Sequence, residues 1–275
     1  GQEQFAEPYV EANFSKGEHQ ANIGNIKTGG QVDKLRYFFN LSHLDIEGYR
    51  DHSRTRNTKF NSKFSYDIDA NSEFSVVFTA YDAPEAQDPG GIDQASVDAD
   101  RRQARPLNVT FNTGEDIDQQ KLGFTYRRQM TPNQELILRN YYVHRDFQGL
   151  LPLFTPDGFV EFDRFQFGGG AQYNINSQLF GLNNRTSLGF DIDTQEDDRQ
   201  RYANLVGGVQ GALALDQLEQ GDSIGVYLRN EMDLTDSLEL SLGLRYDNVE
   251  LAVEDKFLGD GDQSSELNFE ELSPM

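Results

Sequence analysis

The sequence predicts an all-β protein, an antiparallel up-and-down transmembrane β-barrel segment. Three observations carry that reading. Apolar residues recur with a period of two in many short runs, connections alternate between short and long, and the face opposite the apolar one carries many charges. The chain has 275 residues and a net charge of −22, with 24 Lys and Arg against 46 Asp and Glu. Such an acidic chain does not suit nucleic acid, because neutralising phosphates takes clustered cations. Without cysteine it has no disulfide, thiolate metal site or cysteine nucleophile. The mean hydropathy is −0.68, and no run approaches the roughly 18 apolar residues a membrane helix needs. High charge with low hydropathy is also the signature of disorder. Here, however, 20 Phe and 12 Tyr are gathered into alternating segments, which a disordered chain does not show.

The clearest strand is Ser237–Asp247. Leu238, Leu240, Leu242, Leu244 and Tyr246 share one face, and Glu239, Ser241, Gly243, Arg245 and Asp247 share the other. A helix would set Leu238 and Leu240 about 200° apart, so no single packing face could use both. Taken in chain order, strands are expected at Val10–Phe14, Ala21–Lys27, Leu35–Leu41, Lys59–Tyr66, Phe74–Tyr81, Leu122–Arg127 and Leu136–Tyr142. Others follow at Phe165–Ile175, Leu188–Asp193, Ile224–Met232 and Leu238–Asp247. These are eleven strands, and a twelfth starts at Leu267. No long amphipathic helix is expected.

Short turns fall at Gly29–Lys34, Asp67–Ser72, Met130–Asn133, Asn176–Asn184 and Asp233–Asp236, each rich in turn-forming residues. Between them lie the long links Ile46–Asn57, Asp82–Asp118, Asp146–Asp163, Thr194–Asp222 and Glu254–Glu266. A soluble sandwich has no reason to gather its long loops at one end, whereas an outer-membrane barrel does. The inward face would carry Arg127, Arg139, Asp191, Arg229, Glu239 and Arg245. Tyr66, Tyr126, Tyr142 and Tyr246 stand near strand ends, where an aromatic girdle belongs.

No catalytic constellation is found, and none of the four histidines forms an HExxH pair. Asp67-Ile-Asp69-Ala-Asn71 opens like a calcium loop, but Ser72 stands where that loop needs glycine and Phe78 where it needs glutamate. Asp191, Asp193, Glu196, Asp197 and Asp198 read as a solvated acidic loop, with a divalent-cation site as the alternative, and Gly168–Gly170 as a place where the sheet bends or another backbone approaches. Phe147, Leu150, Leu151, Leu153, Phe154, Phe159 and Phe162 read as loop packing. Two basic clusters remain as ligand contacts: Tyr49, Arg50, His52, Arg54 and Arg56, and then Arg101, Arg102 and Arg105. Guanidinium groups could grip an anionic ligand in bidentate fashion. Their alternative role is to neutralise nearby carboxylates or lipopolysaccharide phosphates.

Three stretches in order resemble the barrel of TonB-dependent outer-membrane receptors. They are Leu35–Ser53, ending in Gly-Tyr-Arg-Asp-His-Ser; Asp82–Asp118, with Pro89, Gly90 and Gly91 before an arginine-rich run; and Val226–Asp247, ending in Gly-Leu-Arg-Tyr-Asp. Glu270–Met275 resembles the start of the next strand. The resemblance implies that residues 1–275 are part of a barrel of about 22 strands, with the family's plug domain absent from the chain. It further implies a bacterial outer-membrane location, lipid and lipopolysaccharide neighbours, no enzymatic activity and no cofactor. The expected function is TonB-energised import of a scarce nutrient, with a ferric siderophore first and pyrroloquinoline quinone as a lesser option. A passive porin-like channel or adhesin barrel is the alternative from another class, and a soluble secreted β-protein is a third.

Overall fold

The computed structural model describes residues 7–152 and 157–275. It contains twelve strands: β1 (Tyr9–Lys16), β2 (Asn22–Val32), β3 (Leu35–Ile46), β4 (Thr55–Asp69), β5 (Ser72–Gln87) and β6 (Gly114–Thr131). They continue as β7 (Gln134–Leu150), β8 (Phe159–Leu179), β9 (Leu182–Leu205), β10 (Val209–Thr235), β11 (Leu238–Asp255) and β12 (Ser265–Pro274). Each pairs antiparallel with its neighbour in sequence, in one sheet ordered β1 to β12. Two short helices, α1 (Gln94–Ala99) and α2 (Pro106–Thr110), lie in the β5–β6 link.

Register turns the sequence alternation into two faces. Tyr66 pairs with Phe74, Phe74 with Tyr126, Tyr126 with Leu138, and Leu138 with Ala171. The row runs on through Phe190, Val226, Tyr246 and Leu272. This face is bare: Leu242 is 61% exposed and Leu188 55%. Such an apolar surface is the one a bilayer covers. On β9 the alternate residues Asp191, Asp193, Asp197, Arg199 and Arg201 are buried or half-buried, while Ile192, Glu196 and Asp198 are exposed. Occlusion of the polar face and openness of the apolar one are what inward curvature produces. Arg245, half-buried, lies on the inner side, as its alternation with the leucines requires.

Several inner-face charges are paired across strands. Arg36 grips Asp67 at 2.7 and 2.8 Å and also reaches Glu73, while Arg245 and Arg139 converge on Asp191 at 3.2 and 3.4 Å. The sheet is a wall with little packed core of its own. The largest fully buried side chains among the described residues are Phe111, Asn108, Thr113 and Asp197, and three of these lie in the β5–β6 link.

Five connections (β2–β3, β4–β5, β6–β7, β8–β9 and β10–β11) are two-residue turns, which the up-and-down order places at one rim. The other rim holds the remaining links. One of these is not the loop the sequence suggested. Across Thr194–Asp222 the strands continue, with β9 reaching Leu205 and β10 starting at Val209. Only a three-residue tip remains, in which Gly207 and Gly208 take positive φ angles of 83° and 78°.

Candidate ligand-binding vestibule

At the long-loop rim, the β3–β4 and β5–β6 links are joined by the first basic cluster. Arg50 donates from Nε to Gln103 O (3.0 Å), from Nη1 to Gly90 O (2.6 Å), and from Nη2 to Pro89 O (3.2 Å) and Gln103 O (2.9 Å). A planar fork can bridge several carbonyls where an ammonium could not. The Asp51 amide donates to Arg102 O at 2.7 Å, and His52 Nε2 donates to Thr113 O at 2.8 Å. The Arg102 guanidinium covers the Tyr49 ring at 5.8 Å and donates to Tyr49 O. Beneath them Asn108 and Thr113, each 1% exposed, both donate to Asp88 O. Gly90 has a φ of +67°, and a Cβ there would meet the Asn108 amide, so the loop needs glycine at this point.

The structure thus brings Tyr49, Arg50, His52 and Arg102 together as a latch between loops. Arg54 lies apart, among Asp45 (3.1 Å), Glu47 (3.6 Å) and Glu85 (3.5 Å), and its hydrogen bond to Asp45 raises its pKa above the ordinary arginine value. Arg56, opposite Asp45 on the outward face, is half-buried. Arg101 and Arg105 are exposed and have no ion pair among the described residues. Arg102 is exposed as well but is held against Tyr49, which leaves Arg101 and Arg105 as the uncommitted cations of the second cluster among the described residues.

A further cationic group lies on the inner wall. Arg145 on β7 pairs with Arg164 on β8, which pairs with Asp197 on β9, and Arg199 and Arg201 follow on the same face. Phe147 and Phe162 stack between strands, with centroids 4.8 Å apart. Arg145 covers Phe147 at 5.7 Å and Arg164 covers Phe162 at 5.0 Å. Arg164 holds Asp197, which is 2% exposed, through two hydrogen bonds, and Arg199 meets Glu219 at 3.3 Å. The Nε atoms of Arg145, Arg199 and Arg201 are buried with no hydrogen-bond partner among the described residues.

Next to this group is a cleft of about 420 Å³, lined on the inner face by Gln166, Asp193, Gln195, Glu219, Ser223 and Leu251. Asp193 accepts the Tyr141 hydroxyl, and Gln166 donates to the same hydroxyl at 3.2 Å. The hydropathy pattern misses these arginines because the expected strands stop at Tyr142 and start again at Phe165, leaving Arg145 and Arg164 between them, while Arg199 and Arg201 fall in the expected Thr194–Asp222 link. The usable signal was continued alternation: Val143, Arg145 and Phe147 keep one parity, as do Phe162, Arg164 and Gln166. Of the apolar group expected there, Leu153 and Phe154 lie outside the described residues.

The other candidate groups resolve in simple terms. Asp69 accepts from the Asn71 amide at 2.8 Å within the β4–β5 turn. The acidic run on β9 divides between faces, with Asp191, Asp193 and Asp197 inward and Glu196 and Asp198 outward. A Cβ on Gly168 would lie 2.6 Å from the Tyr141 ring, so that glycine admits a close neighbour. A His144–Asp146–Asp163 group on the outer face has ligand-type atoms within 4.8 Å of one another.

A family model described as TonB dependent receptor-like, beta-barrel, matches residues 36–274. Among solved structures, the unliganded ferric citrate transporter FecA superposes with a TM-score of 0.81 at 19% identity, covering 99% of this chain and 42% of that one. The ferric preacinetobactin receptor BauA of Acinetobacter baumannii gives 0.80 at 9% identity, covering 98% and 45%. The siderophore receptor PiuA of the same organism gives 0.77 at 11%, covering 98% and 47%. The chain spans less than half the length of these structures. With its apolar outer face, polar inner face and alternating rims, the chain belongs to the TonB-dependent receptor β-barrel family, proteins of the Gram-negative outer membrane.

Proposed function

We propose that this wall belongs to an importer that takes up an anionic ferric chelate of the siderophore class, energised by TonB acting through a plug domain. The reading rests on one observation: three half-buried arginines, Arg145, Arg199 and Arg201, share the inner wall with stacked aromatic rings, in a chain carrying −22. Oxygen-rich ferric chelates supply acceptors for the guanidinium groups and flat surfaces for the rings. Arg101 and Arg105 offer a first contact at the rim, and Arg145, Arg199 and Arg201 a second one within. Similar structures are named for ferric citrate, preacinetobactin and siderophore transport, which supports the cargo class. No step in this function makes or breaks a covalent bond.

The test uses the full-length receptor in iron-starved cells, with radiolabelled ferric citrate as the anionic probe and a neutral ferric hydroxamate beside it. Arg145→Ala with Arg201→Ala removes two cations that hold no carboxylate among the described residues. Losing one charged hydrogen bond costs about 1.5–3 kcal/mol, so binding of the anionic chelate should weaken roughly tenfold or more at unchanged surface expression. Wild-type binding by the double variant refutes the vestibule. Uptake that persists in cells lacking TonB refutes the energised mechanism and favours a passive channel.

A further inference from the structure

Above the apolar band, the outer face of β7 and β8 carries His144, Asp146 and Asp163, on the side away from the vestibule. Register places them together: Asp146 and Asp163 are direct partners, and His144 is two residues from Asp146 on the same face. Two carboxylates alone would be ordinary solvated surface. The imidazole changes their meaning. Gln120 on β6 turns its amide NH2 toward Asp118, a contact that only its donor end can make. Its Oε1 therefore faces His144 Nδ1, at 3.4 Å. The other ring nitrogen, Nε2, lies 3.0 Å from Asp163 Oδ1. Asp146 stands beside this pair, with one ligand-type atom from each of the three residues within 4.8 Å of the others. An acceptor on the far nitrogen is also how metal-binding imidazoles are oriented.

We propose that His144 Nε2 and the carboxylates of Asp146 and Asp163 form a site for one divalent cation of the zinc class on the outer face of the barrel. A mixed nitrogen and oxygen donor set suits such an ion, whereas calcium and magnesium favour oxygen alone. Three protein ligands leave a fourth position open to water or to a headgroup phosphate. The site is independent of the cargo reading, because it lies on the opposite face of the wall.

The experiment is Zn²⁺ titration of the purified full-length receptor in detergent, by calorimetry and equilibrium dialysis in excess Ca²⁺ and Mg²⁺. One equivalent should bind at micromolar free Zn²⁺. His144→Gln, and separately Asp163→Asn, should each abolish it, while Gln120→Leu should weaken it roughly tenfold or more. His43→Gln, at another outward histidine bonded to Thr58 at 2.9 Å, should leave it intact. Heat-modifiable migration of unboiled samples reports folding, and Asp146→Asn provides a second shape-conserving variant. X-ray absorption at the zinc edge should show one imidazole nitrogen among oxygens. The absence of a stoichiometric equivalent in the wild type would assign the pair to a proton and overturn the proposal. So would an equivalent that survives His144→Gln, or one that Ca²⁺ displaces.

Discussion

Replacing Arg50 should release a loop rather than remove a ligand contact. Its guanidinium makes four hydrogen bonds to three carbonyls in the β5–β6 link. A hydrogen bond to a charged group contributes about 1.5–3 kcal/mol, but Arg50 is only half-buried and water can replace part of the set. A net loss of about 2 kcal/mol for Arg50→Ala is therefore reasonable, equivalent to roughly 30-fold in a local opening equilibrium. Hydrogen–deuterium exchange of the full-length receptor reads this directly. The reporters are the amides of Asp51 (to Arg102 O, 2.7 Å), Asp88 (to Thr113 O, 3.0 Å) and Arg105 (to Pro89 O, 2.8 Å). Peptides covering 88–113 should exchange roughly 30-fold faster, and barrel strands should be unchanged. Arg50→Lys should resemble Arg50→Ala, because an ammonium cannot span the carbonyls, whereas Arg101→Ala should have no effect. Unchanged protection in Arg50→Ala would refute the latch and return Arg50 to the list of ligand contacts.

Two further predictions concern the wall. Arg164→Met leaves Asp197 buried without its cation and should destabilise the barrel by about 3–5 kcal/mol in urea titrations in lipid vesicles. Arg164→Met with Asp197→Leu should recover most of that loss, and a double variant no more stable than the single one would contradict the pairing. On β11, Leu242→Arg places a charge mid-run on the lipid face and should cost about 2–4 kcal/mol in the same assay. Glu239→Arg, on the opposite face beside Asp233, should cost little; equal costs would mean the faces are misassigned.

The strands were legible where one face is greasy and the other wet, and faded where both faces are polar. Leu238–Asp247 could be read directly because lipid demands apolar residues on one parity. Above the membrane that demand ends. Outward residues of β9 become Thr194, Glu196 and Asp198, so the hydropathy signal stops while backbone pairing continues to Leu205. The same loss left Arg145 and Arg164 outside the expected strands and hid Arg199 and Arg201 in an apparent loop. The rim cluster was visible as residue types but not as contacts. Arg50 is held by carbonyls 39 to 53 positions away, and a carbonyl carries no sequence signature.

Net charge, the most conspicuous property of the chain, says little about what the lumen presents. Over the upper parts of β6 to β9 the outward residues include Asp116, Asp118, Asp146, Glu161, Asp163, Glu196 and Asp198, and His144 is their one potential cation. The inward parity of the same strands carries Lys121, Arg145, Arg164, Arg199 and Arg201, mixed with Glu115, Asp193 and Asp197. A wall one side chain deep on each face separates the two sets by about 10 Å, close to the screening length of roughly 8 Å in physiological salt. An anion touching the inner guanidinium groups thus feels them at contact distance, with the outer carboxylates largely screened. The same anion approaching the outer face of these strands meets mostly carboxylates, with Lys256 on Asp198 at 3.3 Å. Strand parity can therefore give an acidic chain a cationic interior, and it does so through the arginines of the inner face.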